Sequence, residues 1–115
     1  MRWIDSPVSG GIGAAAAGTL TFMVGCPEPK WFDEAEKILE PMGKAVINCE
    51  KPGAGQIAKA CNNLALAIEM VAVAEALNLG KKLGIDLHIL SEIMKISSSR
   101  CWSIDTYPPA PGLNP

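Results

Sequence analysis

A dominant charge sign is missing from this chain. Ten Lys and Arg stand against twelve Asp and Glu in 115 residues, a net charge of −2, and the charges are scattered. That excludes the basic footprint expected of a nucleic-acid binder or of a protein held to an anionic membrane surface. Paired cysteines are missing as well. Cys26, Cys49, Cys61 and Cys101 lie far apart with no C-x-x-C, which argues against zinc and against a disulfide-stapled secreted fold. It favours free, buried thiols in a reducing compartment. No metal set can be assembled, and the one histidine, His88, falls in a different predicted helix from Cys61, so that thiol has no base to activate it. Residues 1–5 read as the start of a strand, so no secretory or transit peptide is expected there. No repeat occurs. Finally, no G-x-G-x-x-G follows a strand, since Gly10-Gly11-Ile12-Gly13 has neither the spacing nor the crossover helix of a dinucleotide fingerprint.

What is present can bury a core: 49% of residues are hydrophobic. Trp3 to Val8 reads as extended, with Pro7 near its end, followed by the Ser9-Gly10-Gly11 turn and a small-residue run to Gly18. Thr19 to Gly25 alternates as a strand, and Trp31 to Met42 is a surface helix carrying Phe32, Ala35, Ile38 and Leu39 at helical spacing. Ala45 to Cys49 is a further short strand. The character then changes. Ala54 to about Leu83 predicts one long helix stopped by Gly84, and Asp86 caps a shorter one through Ile96. Glu69, Glu75 and Asn78 interrupt the apolar stretch from Leu64 to Leu79, so a helix buried on most sides inside a protein, or between subunits, is expected rather than a membrane span. Ser97 to Arg100 breaks the second helix, and the proline-rich residues from Tyr107 onward offer neither helix nor strand. The expectation is an α/β unit followed by an all-α unit, neither of them complete.

Chemistry concentrates at residues 53–63, Gly-Ala-Gly-Gln-Ile-Ala-Lys-Ala-Cys-Asn-Asn. Lys59 is the first charge inside the long helix, and Asn63 follows four residues later on the same face. A lysine among Ile57, Ala58, Ala60 and Cys61 either snorkels to water or sits in a dry site, where desolvation makes it a proton donor or acceptor near neutral pH. Ser9 and the bare N–H groups of Gly10 and Gly11 form either an ordinary tight turn or a cradle for an anion.

Asp5-Ser6-Pro7-Val8-Ser9-Gly10-Gly11 and the 53–63 stretch together resemble the β-hydroxyacid dehydrogenase family. Gly18-Thr19-Leu20-Thr21-Phe22-Met23-Val24-Gly25 adds to that likeness, and Arg100-Cys101-Trp102-Ser103 points to its 3-hydroxyisobutyrate branch. The resemblance runs in order through essentially the whole chain. It implies a 6-phosphogluconate dehydrogenase-like architecture, with residues 1–51 the C-terminal part of an NAD(P)-binding domain and 52–115 the N-terminal part of a helical domain. It implies an NAD-dependent enzyme of valine breakdown that oxidises a 3-hydroxy acid to a semialdehyde, as a mitochondrial (otherwise cytoplasmic) homo-oligomer. In that reading Lys59 is catalytic, Ser9, Gly10, Gly11 and Asn63 bind substrate, and Asn62 supports them. The residues that hold the cofactor are unknown, because the fingerprint is absent. The family's glycine-rich start and its later helices are not matched, so the chain corresponds to the middle of such an enzyme and is expected to be inactive alone.

Two other readings are a non-catalytic binding or scaffold remnant and a related semialdehyde or glyoxylate reductase. Family members recruited to chromatin lack the lysine, so Lys59 speaks against the first. Arg100-Cys101-Trp102 speaks against the second.

Overall fold

A computed structural model describes residues 3–114. The chain divides into two compact units, residues 1–62 and 63–115, with the division falling inside one long helix.

In the first unit the order is β1 (Val8–Ser9), α1 (Gly11–Ala17), β2 (Leu20–Val24), α2 (Pro29–Leu39), a 3-10 turn (Glu40–Met42) and β3 (Gly43–Asn48). The long helix α3 (Ala54–Lys82) then begins. β2 is central, antiparallel to β1 and parallel to β3. Period-two alternation on β2 turns Phe22 and Val24 inward, where Cys26 and Ala35 of α2 complete a core flanked by Ile4, Leu20, Trp31, Phe32, Leu39 and Val46. Ile38 departs from its expected place in the apolar stripe, being exposed. The α-helix also stops at Leu39 rather than Met42, since Pro41 has no N–H to continue it and the last turn tightens to 3-10.

The expected strand from Trp3 to Val8 is interrupted, and residues 1 and 2 of the expected strand start lie outside the described residues. Asp5 bridges Gly25, Pro7 accepts from Met23 N–H, and Val8 and Ser9 pair with Phe22 and Thr21. These pairs share one antiparallel register, but Pro7 returns no N–H to Met23, so the ladder is continuous only over β1. The small-residue run from Gly11 to Ala17, for which no helix was expected, is helical. Four consecutive alanines supply the propensity, and Gly18 at φ +65° ends the helix with a Schellman pair, Gly18 N–H to Ala15 and Thr19 N–H to Ala14.

The second unit holds the rest of α3, α4 (Leu87–Ile96) and α5 (Trp102–Thr106). Gly84 at φ +86° closes α3 by the same motif, with Gly84 N–H to Lys81 and Ile85 N–H to Gly80. Asp86 caps α4 as expected, its carboxylate accepting from His88 N–H at 2.9 Å and Ile89 N–H at 3.1 Å. Val73, Leu77, Met94 and Ile104 form the core, and Gly80 lets Leu90 approach α3 where a Cβ would overlap it. α5 was not expected. It forms because Ile104 and Ser103 bury completely and Arg100 pairs with Asp105 at 2.9 Å, so tertiary burial overrides a weak local signal. By length and composition α3 is long and apolar enough to cross a membrane. Within this unit, its Val73 and Leu77 bury against the partners of a packed core.

Candidate active site

Gly10 and Gly11 take φ +135° and +69°, in the region that L side chains disfavour, and a Cβ on Gly10 would overlap that of Ala14. The two glycines therefore let the chain leave β1 at Ser9 and enter α1 within one residue. Gly10 is the cap position of α1 and has no side chain to satisfy the N–H groups that open there. Ser9 is half-buried and both glycines are exposed, so the turn presents backbone donors to solvent.

Lys59 lies near the start of α3 and is half-buried, whereas Lys30, Lys37, Lys44, Lys51, Lys81 and Lys82 are exposed. Gly55, Lys59 and Asn62 follow at helical spacing on one face. Gly55 is buried, and a Cβ there would overlap the carbonyl oxygen of Met23 in β2. Lys59 thus continues the face of α3 that presses on the sheet. Ser9, Gly10, Gly11, Lys59 and Asn62 belong to the first unit; Asn63, on the same helix, opens the second. Asn62 and Asn63 are both exposed.

The role of Asp5 is larger than that of the strand-end acceptor it resembles in the sequence. Its Oδ1 accepts from Gly53 N–H at 2.7 Å and its Oδ2 from Gln56 N–H at 3.0 Å, across about fifty residues of chain. The signal for this was available. Glu50-Lys51-Pro52 places no Ser, Thr, Asn or Asp before α3, so the orphan donors of its first turn need an acceptor from elsewhere. Cys49 is held toward the neutral thiol, first by burial and then by the negative charge of Asp5. Cys61 is exposed, and Cys26 buried. Among the described residues no three of His, Cys, Asp and Glu converge as a metal group. A depression of about 240 Å³ between α2 and β3 is lined by Glu36, Glu40, Lys44 and Val46, among others, and includes none of the expected site residues.

Comparison with known proteins bears on the same segments. Residues 53–113 match the family model described as the NAD-binding domain of NADP-dependent 3-hydroxyisobutyrate dehydrogenase, and residues 1–53 match that of the NAD-binding domain of 6-phosphogluconate dehydrogenase. The mitochondrial 3-hydroxyisobutyrate dehydrogenase of Bos taurus is 54% identical over 111 residues, covering 96% of this chain and 33% of its own length. That of Homo sapiens is 53% identical over the same share of each. The solved structure of Mycobacterium tuberculosis 3-hydroxyisobutyrate dehydrogenase with L-serine superimposes with a TM-score of 0.88 at 44% identity, covering 97% of this chain and 38% of that one. The chain therefore spans about a third of the length of the relatives it matches. Both family models are NAD-binding, so the dinucleotide is the cofactor of the family, and the fold is that of a partial Rossmann-type domain continued by helices. The chain belongs to the 3-hydroxyisobutyrate dehydrogenase family.

Proposed function

We propose that these residues carry the substrate side of an NAD-dependent 3-hydroxyisobutyrate dehydrogenase, which oxidises the primary alcohol to methylmalonate semialdehyde in valine breakdown. The observation that carries this reading is Lys59, half-buried on the sheet-facing side of α3 in a unit that also holds the Ser9–Gly11 turn. The Ser9 hydroxyl and the N–H groups of Gly10 and Gly11 hold the substrate carboxylate, fixing the carbinol end. Lys59 Nζ takes the hydroxyl proton as the alcohol is oxidised, or polarises that oxygen when it already carries a proton. Asn63 donates to the substrate and Asn62 supports it. The domain division of this reading falls at 51/52, and the enzyme works as a mitochondrial homo-oligomer.

The described residues do not fit the pyrophosphate of NAD. The first turn of α2 has Glu28 at its cap and Pro29 without an N–H. The donors that open α3 and α4 are taken by Asp5 and Asp86. Among the described residues α1 and the five-residue α5 also start without a side-chain cap; α5 is too short to present a helix terminus, and the turn before α1 is assigned to the substrate carboxylate. No step is therefore derived through the dinucleotide. The isolated chain should bind NAD(H) weakly or not at all, and calorimetry giving a saturable micromolar isotherm would contradict this.

The main test grafts the chain into the bovine enzyme in place of the 111 residues it matches. Lys59→Ala in that graft should lower turnover on the order of 100-fold or more, with a smaller change in nicotinamide affinity. Near-normal turnover would remove Lys59 from the mechanism.

A further inference from the structure

Three segments of the first unit meet at one carboxylate. Asp5 is fixed through its backbone to Gly25, the residue after β2, donating to it at 3.1 Å and accepting from it at 2.8 Å. Its side chain accepts from the N–H groups of Gly53 and Gln56. Two residues along, Pro7 withholds the N–H that an antiparallel partner would give to the carbonyl of Met23, and it is against this carbonyl that Gly55 presses. Neither Gly25 nor Gly55 could carry a Cβ, since each would overlap an oxygen of Asp5. The carboxylate also lies at the positive end of a 29-residue helix, where a negative charge is favoured. Lys59 follows Gly55 by four residues and Gln56 by three, one turn beyond the anchored amides. Ser9 follows Asp5 by four residues on the strand side.

We infer that Asp5 is a positioning residue: its carboxylate ties the first turn of α3, and through it Lys59, to the strand that leads into the Ser9–Gly11 turn. The inference rests on the reading of Lys59 given above. It assigns to Asp5 no contact with substrate. Its content is that the lysine keeps its half-buried placement only while both amides are held.

The test uses the 115-residue chain and competitive acetylation of its lysines followed by mass spectrometry, with amide exchange at Gly53 and Gln56 as the measure of the anchor. In the parent chain Lys59 should label several-fold more slowly than Lys81 and Lys82. Asp5→Ala should release both amides and bring Lys59 to the rate of those exposed lysines, leaving Lys81, Lys82 and Lys95 unchanged. Asp5→Asn keeps one carbonyl acceptor for Gly53 and should give an intermediate rate, a partial rescue that general loosening would not produce. If Asp5→Ala fails to fold, Asp5→Asn against the parent decides alone. Released amides with unchanged Lys59 labelling, or a rate change shared by all lysines in the folded Asn variant, would overturn the inference. Because the readout involves no turnover, it is separable from the function. Labelling that tracks Asp5 together with an active Lys59→Ala graft would leave the anchor standing and remove only the catalytic reading.

Discussion

Ser103 is wholly buried, and its hydroxyl has no hydrogen-bond partner among the described residues. A buried donor left unmade costs on the order of 1–3 kcal/mol, while removing the group with little change of shape costs almost nothing. Ser103→Ala should therefore be neutral or raise stability by about 1 kcal/mol in urea unfolding. A loss of comparable size would mean that the hydroxyl has a partner in solution. The contrast with Asp5 is instructive at this scale. Both are polar groups taken from water, but the carboxylate is matched by two amide donors and a helix terminus. The Asp5 carboxylate is held by its bonds, whereas the Ser103 hydroxyl is buried without one among the described residues.

The helices differ in how they end, and that decides which were legible. Asp86 caps α4 with its own side chain, and Asp86→Ala should cost about 1 kcal/mol, measured by thermal or urea unfolding of the chain. An unchanged midpoint would show that the amides of His88 and Ile89 are satisfied by water. Because that cap and the glycines after α1 and α3 are local, the limits of α3 and α4 could be read from a few adjacent letters. β2 and β3 were legible for a similar reason, their alternation being written in consecutive residues. α1 was missed although its alanines favour helix, since Gly11 and Gly13 at its start weigh against it. α5 was missed because five residues supply almost no helical signal, and Ile104 gains its burial from α3 and α4. The start of α3 lay between these cases. Its position was evident from Pro52 and Gly53, but the acceptor of its amides is 48 residues away from Gly53. For the site, Lys59 and the glycine turn were recognisable by residue type and spacing. That Lys59 shares its helix face with Gly55, against the sheet, depends on Pro7 and Met23, which no spacing within the 53–63 stretch could show.

At the scale of the whole molecule, the balance between the two cores and the remaining apolar surface governs behaviour. Each core centres on four buried residues. Against that, Leu64, Ile68, Val71 and Leu79 of α3 are each more than half exposed, as is Ile57 nearer its start. Their spacing of four, three and eight places Leu64, Ile68, Val71 and Leu79 on one side, away from the buried Val73 and Leu77. Ile89 and Ile96 of α4 and Trp102 add further exposed area. Apolar patches of this extent are covered in stable proteins, and the water they order favours association at roughly 25 cal/mol per Å² removed. β1 and β3 also leave unpaired edges on a sheet of three strands, which invites strand addition. With a net charge of only −2, repulsion between copies is too weak to oppose this. We therefore expect size-exclusion chromatography of the chain to give a dimer or larger species, with broad unfolding on heating. Replacing Ile68 and Val71 by lysine should shift it toward monomer, since these side chains support no core within their own unit. A sharply melting monomer from the parent sequence would show instead that eight buried hydrophobic residues suffice, and that the α3 stripe can face water without cost.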